Sequence, residues 1–208
     1  MKRNKRLNYT IIAEGYTEYK FIPLYLRQVA EKVDIQVVRS SLDLKGKQPS
    51  KSKVLQEASK LCNLAIQQNH HLIIAGVDLD EADHESELPL HSAVCENLKI
   101  KLKIYSQYKN RIILFVPMQA IEHWLGYQAY KVGKANKFAN NSLESKPQGE
   151  LKRILYGNKE DGRTMETVAE KIAIAADFDE LAKQSRSFDH FHKQIVTFLA
   201  SYNNTTKP

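Results

Sequence analysis

The sequence predicts an α/β protein with a mainly parallel sheet flanked by helices and a helical C-terminal portion. Runs of apolar, largely β-branched residues at 8–13, 35–39, 71–77 and 111–117 are typical of buried strands. Segments with apolar residues at helical spacing separate these runs, as expected when parallel strands are joined by helices. Beyond about residue 130 the pattern remains helical and no strand is predicted.

The first strand leads into a turn at Gly15 and then a helix. Thr17 is a candidate helix cap, and Pro23 predicts that this helix is bent or begins later than Thr17. Further helices are predicted at 53–68 and 92–107, and another follows the last strand. We therefore expect an α/β domain over residues 1–130. Residues 131–208 are expected to form helices that are packed on this domain or appended to it.

The charge is distributed unevenly along the chain. Six acidic residues and no basic ones fall between Asp78 and Glu87, although the whole chain has a net charge of +7. Outside that window 31 basic residues face 18 acidic ones, a surplus of 13. A basic body with one acidic centre suits a protein that binds a polyanion and holds a metal ion. The alternative is a basic protein with a solvated acidic loop.

Several protein classes are disfavoured by composition. No apolar run approaches the roughly 20 residues that a membrane-spanning helix needs, and the basic N-terminus precedes too short an apolar stretch for a signal peptide. Cys62 and Cys95 are too few for a disulfide framework. We expect a cytoplasmic protein with free thiols and no membrane partner. Neither a Walker A segment nor GxGxxG nor GxSxG is present, so nucleotide hydrolysis is expected only from a partner.

Acidic residues follow three of the predicted strands. Glu14 closes the first strand, Asp78 and Asp80 follow the third, and Glu122 comes shortly after the fourth. The carboxyl ends of parallel strands form the edge where α/β proteins bind ligands. Residues two apart on an extended chain point to the same side, so Asp78 and Asp80 are expected to face one ion. Carboxylates suit Mg²⁺, although a solvated strand-to-loop junction is the alternative.

The motifs at these positions resemble those of the Toprim domain. IIAEGYTE before a helix and LIIAGVDLDEAD later in the chain are similar to the strand–glutamate and strand–DxD segments of topoisomerases, primases and OLD-family nucleases. The resemblance is closer to small stand-alone Toprim proteins of the RloG and abortive-infection L type. Those combine EGxTE and DxD with a later ExW and SFxxF, which correspond here to IEHWLGYQ and SFDHFH.

The resemblance implies roles for individual residues. Glu14, Asp78 and Asp80 correspond to catalytic, metal-binding residues, and Glu14 to a possible general acid or base. Glu18 and Glu122 are implied as further metal ligands, so that the site holds one or two Mg²⁺ or Mn²⁺ ions. The alternative for Glu122 is a surface glutamate beside a core tryptophan. OLD-like sites also use a lysine near the attacked phosphate, for which Lys146 and Lys152 are both candidates.

The implied activity is metal-dependent cleavage of DNA or RNA, in anti-phage defence and with an ATPase partner. A topoisomerase or primase would need further domains, for which 208 residues leave little room. The alternative is a non-catalytic Toprim-like subunit that binds nucleic acid or the ATPase. The basic loop from Lys45 to Lys53 is expected either to contact the substrate backbone or to be a solvated face.

Histidines provide a weaker signal. His70, His71, His84 and His91 lie near the third strand and the acidic loop, but no HxxxH or CxxC spacing accompanies them. His190 and His192 are two apart on a predicted helix and are expected to face different ways. The sequence therefore predicts no zinc site.

Overall fold

The computed structural model describes residues 5–42 and 49–205. The strands are β1 (Lys5–Ile12), β2 (Ile35–Arg39), β3 (Leu72–Gly76) and β4 (Ile112–Phe115). The helices between and after the strands are α1 (Tyr16–Glu31), α2 (Lys51–Gln67), α3 (Pro89–Leu102), α4 (Tyr105–Tyr108), α5 (Ile121–Gln128), α6 (Gln148–Tyr156), α7 (Gly162–Ala175), α8 (Phe178–Gln184) and α9 (Arg186–Thr205). A 3-10 helix spans Ala129–Val132.

The four strands form one parallel sheet in the order β2-β1-β3-β4. Tyr9 is in register with Leu72, and Ile73 with Ile112, so β1 and β3 end side by side at the carboxyl edge. The predicted α/β class, the parallel sheet, the flanking helices and the helical C-terminal part are confirmed. This arrangement is consistent with a Toprim-like fold.

Alternate residues of the strands enter two hydrophobic cores, one on each face of the sheet. Ile74 and Phe115 belong to the core that also contains α1 and helices from the C-terminal half. Ile73 and Leu114 belong to the other core, with α2 and α3. This alternation is the period of an extended strand, and burial on both faces explains why β3 and β4 are continuously apolar.

The C-terminal helices share their core with the sheet. Trp124 stacks on Phe191 with ring centroids 5.7 Å apart, and Phe188 meets Trp124 edge-on at 5.0 Å. Gln194 of α9 donates to the carbonyl of Leu114 in β4 at 3.0 Å, so α9 also covers the free edge of the sheet. The predicted division of the chain at residue 130 stays a prediction.

The start of α1 differs from the sequence prediction. Gly15 is the residue that caps α1, and Thr17 is buried, with its hydroxyl 3.3 Å from the hydroxyl of Tyr156. Pro23 lies within the continuous helix, where it removes the amide that would bond to the carbonyl of Tyr19. Arg39 Nη1 donates to that carbonyl at 3.2 Å and replaces the missing bond. The helix can therefore pass through the proline.

Cys62 and Cys95 are buried free thiols, as predicted. Over the ranges 5–42 and 49–205, no helix combines the length and apolar character needed to cross a membrane.

Candidate metal centre

A cavity of about 270 Å³ lies beyond the carboxyl ends of β1 and β3. The five predicted carboxylates all line it: Glu14, Glu18, Asp78, Asp80 and Glu122. The other lining residues are Thr17, Pro49, Ser50, Ile121, Gln148, Lys152 and Met165. Residues more than one hundred positions apart in the chain therefore converge on one site, at the edge where parallel sheets bind ligands.

Glu14 and Asp78 are fixed by backbone groups. The backbone N–H of Asp78 donates to Glu14 Oε1 at 2.8 Å, which joins the end of β1 to the end of β3. The backbone N–H of Ile121 donates to Asp78 Oδ1 at 3.2 Å. Asp78 therefore caps the first turn of α5 from outside the helix, where the exposed amide groups favour a negative charge.

Asp80 reaches the cavity by a different backbone path from the one the sequence predicts. The prediction assumed an extended DxD segment, but Asp80 has a φ of 69°, in the left-handed region. Aspartate tolerates this conformation better than most residues. The backbone N–H groups of Leu79 and Asp80 donate to the carbonyls of Pro117 and Gln119 at 3.0 and 2.8 Å. Both aspartates line the cavity, but the left-handed backbone of Asp80, and not strand periodicity, places them there.

Glu18 and Glu122 come from the first turns of α1 and α5. Both side chains are buried, so the alternative of a surface glutamate at position 122 is wrong. Tyr156 donates from its hydroxyl to Glu122 Oε1 at 3.1 Å and holds that carboxylate toward α6. The cavity also contacts the starts of α2 and α6 through Ser50 and Gln148. Several helix N-termini thus direct positive dipole ends toward the carboxylates.

Burial and neighbouring charges raise the pKa values of three of the carboxylates: Glu14, Glu18 and Asp78. Burial, followed by the charges of Glu122 and Glu14, raises the pKa of Glu18 to about 8. Burial also raises the pKa of Asp78 well above its ordinary value, followed by the charges of Glu18, Glu122, Glu14 and Asp80. The pKa of Glu14 is raised mainly by burial, against the hydrogen bond from the Asp78 backbone. These raised pKa values indicate that the described residues do not fully compensate the negative charge of the cluster.

The donor set fits a hard divalent cation. Oxygen ligands converge from β1, β3, α1 and α5, and buried Glu18 and Asp78 hold raised pKa values. A bound Mg²⁺ or Mn²⁺ ion would compensate the charges that raise those pKa values. Glu14, Asp78 and Asp80 are the residues best placed to hold a first ion. Glu18 and Glu122 lie together on the α1–α5 side and could hold a second.

Two lysines, Lys51 and Lys152, lie at this site, and they differ in their contacts. Lys51 Nζ donates to Asp80 Oδ2 at 2.7 Å and to the carbonyl of Asp78 at 2.6 Å. Lys152 lines the cavity, and its charge lowers the pKa of Glu18. Within the described ranges Lys152 has neither an ion pair nor a hydrogen bond. Lys146 instead pairs with Glu150 at 2.5 Å, away from the cavity lining, so Lys152 is the lysine that the geometry favours.

The six acidic residues between Asp78 and Glu87 lie in different environments. Of these, only Asp78 and Asp80 line the cavity, and Glu81, Glu85 and Glu87 are exposed. Asp83 is buried, and its carboxylate accepts the backbone N–H of His91 at 2.8 Å, at the start of α3. Arg186 donates to the carbonyls of Asp83 and Glu85 and so attaches this loop to α9.

Sequence reasoning missed several residues of the site. Tyr156, Gln148 and Met165 lie in helices whose apolar spacing gives no sign of a site. Lys51 lies in the segment predicted as a basic loop, but it is the first residue of α2, and its contact with Asp80 was not predicted. The neighbouring Lys45 and Lys47 fall outside the described residues, so the substrate contact of this loop stays a prediction.

The two C-terminal motifs contact each other behind the site. Trp124 Nε1 donates to Ser187 Oγ at 2.9 Å, and the backbone N–H of Met118 donates to the same oxygen at 3.2 Å. Glu122 of ExW faces the cavity, whereas Trp124 faces the core. The SFxxF segment thereby fixes the helix that carries Glu122.

Comparisons of the chain with models of known protein families, with curated proteins and with solved structures give no match. The Toprim resemblance stays a prediction that rests on the short motifs quoted above.

Proposed function

We propose that this protein is a metal-dependent nuclease of the Toprim type that cleaves phosphodiester bonds in DNA or RNA. The observation that carries the proposal is the convergence of Glu14, Glu18, Asp78, Asp80 and Glu122 on one cavity at the carboxyl edge of the sheet. Oxygen-rich sites of this kind bind Mg²⁺ or Mn²⁺. When bound, such ions supply an activated water and neutralise charge on the leaving oxygen.

The chain's own residues would orient the substrate. Lys152 would donate to a non-bridging oxygen of the attacked phosphate, because among the described residues no ion pair or hydrogen bond holds its ammonium group. The N-terminal amides of α2 and α6 would favour the phosphate charge, since Ser50 and Gln148 line the same cavity. Glu14 would remain fixed by the backbone of Asp78 and keep its carboxylate directed at the reacting groups.

The charge distribution supports a polyanionic substrate. The surplus of 13 basic residues outside the acidic window would attract a nucleic-acid backbone. The carboxylates would repel its phosphates unless metal ions are bound, so only the metal-loaded protein would bring the backbone close to the cavity. A function in anti-phage defence with an ATPase partner rests on the resemblance to RloG and abortive-infection L proteins alone.

One observation favours a second function, a non-catalytic subunit that binds nucleic acid or an ATPase. The ammonium group of Lys51 already contacts Asp80 and the carbonyl of Asp78, where it partly neutralises the acidic centre. A site that keeps this lysine in place would be a vestigial metal site. The two functions differ in whether a divalent ion displaces Lys51 and supports cleavage.

The test is cleavage of plasmid DNA, single-stranded RNA and tRNA by purified protein in Mg²⁺ or Mn²⁺, with and without an ATPase partner if one is encoded nearby. Glu14→Gln and Asp78→Asn are expected to abolish cleavage. Glu31→Gln is the matched control, because Glu31 is exposed at the far end of α1. Activity that survives both site substitutions would contradict the proposal.

Metal binding is measured separately from cleavage. Mg²⁺ or Mn²⁺ should raise the melting temperature of the wild-type and Glu31→Gln proteins but not of Asp78→Asn. Stabilisation without cleavage of any substrate would favour the subunit function, and absence of both would contradict a metal site.

A further inference from the structure

A second group of metal-binding side chains lies outside the carboxylate cavity. His91 and Cys95 are four residues apart on α3, and His190 belongs to the first turns of α9. One donor atom from each residue lies within 4.8 Å of the others. Residues four apart on a helix share one face, so His91 and Cys95 are presented together toward α9.

This cluster is buried on one side and accessible on the other. His91 and Cys95 are only 2% and 6% exposed. His190 is exposed and lines a groove of about 870 Å³ between α9 and the segment around Arg111. An ion could therefore reach the two buried ligands from the groove, past His190.

One ring nitrogen of His91 contacts the cluster, and the other has no hydrogen-bond partner among the described residues. Its Nδ1 lies 3.9 Å from Cys95 Sγ, and its ring meets that of His190 edge-on with centroids 5.0 Å apart. Its Nε2 is buried and has no hydrogen-bond partner within the described residues. Buried imidazole nitrogens are nearly always paired, so the described residues do not use the full hydrogen-bonding capacity of this ring.

We propose that His91, Cys95 and His190 form a Zn²⁺ site. One thiolate and two imidazoles are ligands that zinc prefers, and they differ from the all-oxygen donors of the carboxylate cavity. With three protein ligands, the fourth tetrahedral position is left for water or a ligand in the groove. The proposal does not depend on the nuclease function.

The three side chains must move slightly before they can bind one zinc ion. Ligand atoms of a tetrahedral zinc site are about 3.5 Å apart. The distance between His91 Nδ1 and Cys95 Sγ, 3.9 Å, is close to this value. His190 would complete the approach by rotation of its exposed ring, which now has Nδ1 3.2 Å from the side-chain amide of Gln194. Burial raises the pKa of Cys95 to about 11, so the metal-free cluster holds a thiol. Binding therefore breaks the S–H bond, forms a Zn–S bond and releases one proton.

The site would join helices that pack on different faces of the sheet. Cys95 belongs to the core under α2 and α3, whereas α9 packs on the other core and along β4. A shared ion would tie α3 to α9 around the free edge of β4. It would also stabilise the loop that carries Asp83, since Asp83 bonds to the backbone of His91.

The experiment uses the full chain, stripped with a chelator and titrated with Co²⁺. Cobalt bound by a thiolate absorbs through sulfur-to-metal charge transfer, a signal that the carboxylate cavity cannot give because it contains no thiol. We expect this absorption to saturate as Co²⁺ is added and to disappear when Zn²⁺ is added. Cys95→Ser should abolish it, and His190→Ala should weaken Co²⁺ binding at least about tenfold.

Cys62→Ser and His84→Ala are matched controls. Cys62 is the other buried thiol, and His84 is an exposed histidine in the loop that carries Asp83. Both variants should keep the absorption. Because His190 is exposed, its alanine variant should fold, and Zn²⁺ should raise the melting temperature of wild type more than that of His190→Ala. No charge-transfer absorption in wild type, or its survival in Cys95→Ser, would overturn the proposal.

Discussion

The backbone N–H of Asp78 donates to the carboxylate of Glu14 at 2.8 Å. This bond joins the ends of β1 and β3, the two central strands of the sheet. It orients Glu14 through an acceptor that glutamine would also provide. The carboxylate charge and the orientation of the side chain can therefore be separated by substitution.

Glu14→Gln should keep the fold and lose the metal site. The amide oxygen can accept the bond from Asp78, and removal of one charge relieves repulsion within the cluster. We expect the melting temperature without metal to be equal to or above that of wild type, and Mg²⁺ to raise it no further. Differential scanning calorimetry with and without Mg²⁺ measures both quantities. A strongly destabilised Glu14→Gln, beside an unaffected Glu31→Gln, would contradict this account of the bond.

Stability without metal should fall as the pH rises. The folded-state pKa of Glu18 is raised to about 8 from an ordinary 4.5, so folding favours the protonated side chain. Its contribution is complete below the ordinary pKa and is lost as the pH rises through about 8. Melting temperatures in chelator should therefore decrease from about pH 5 to about pH 8.5.

The matched variant for this pH dependence is Glu18→Gln, which should show a smaller decrease. Some dependence should remain, because the pKa of Asp78 is raised as well. Mg²⁺ should restore stability most at the alkaline end, where the carboxylates are ionised. A melting temperature that rises over this pH range in chelator would contradict the assignment.

Lys152 and Lys146 should differ in their effect on cleavage. Lys152 lines the cavity, whereas Lys146 is paired with Glu150. Lys152→Ala is expected to lower kcat about 10²–10³-fold, the usual effect of losing one group that stabilises transition-state charge. Lys146→Ala should change kcat little, and Mg²⁺ should stabilise both variants. Equal kinetic losses in the two variants would remove Lys152 from its proposed role.

Lys51 should compete with the metal ion. Its ammonium contacts Asp80 Oδ2 and the Asp78 carbonyl, so an ion at Asp80 must displace it. Lys51→Gln is therefore expected to bind Mn²⁺ more tightly than wild type, as measured by calorimetric titration. Lys53→Gln is the control, because Lys53 is exposed on the same helix. Weaker Mn²⁺ binding in Lys51→Gln would mean that the lysine supports the site.

Ser187→Ala should destabilise the protein. Ser187 Oγ accepts from the indole of Trp124 and from the backbone of Met118, and both donors are buried. Leaving them unpaired should lower the free energy of unfolding by about 2–3 kcal/mol. Ser92→Ala, at an exposed position of α3, should have little effect in the same denaturant titration. If Ser187→Ala lowers the free energy of unfolding no more than Ser92→Ala does, this prediction is wrong and water can replace the hydroxyl as the acceptor.

Much of the fold and of the site could be predicted from residue patterns. Continuous apolar runs indicated β3 and β4 because burial on both faces removes polar positions. The placement of Glu14 and Asp78 followed from their positions directly after strands. Local patterns, however, cannot specify the left-handed backbone of Asp80, which depends on bonds to the segment after β4.

Contacts between segments distant in the chain also could not be predicted. The Lys51–Asp80 pair and the Tyr156–Glu122 bond join residues whose local sequences carry no shared signal. The cluster of His91, Cys95 and His190 contains neither an HxxxH nor a CxxC spacing, so the sequence did not predict it. Its third member comes from α9, so the tertiary packing of α9 beside α3 creates it.

The most direct test of the central claim is a crystal soak in Mn²⁺ with location of the ions by anomalous scattering. The account predicts one or two ions among Glu14, Asp78, Asp80 and Glu122, with the Lys51 ammonium displaced from Asp80. Absence of manganese from this cavity, with Lys51 still bound to Asp80, would contradict it.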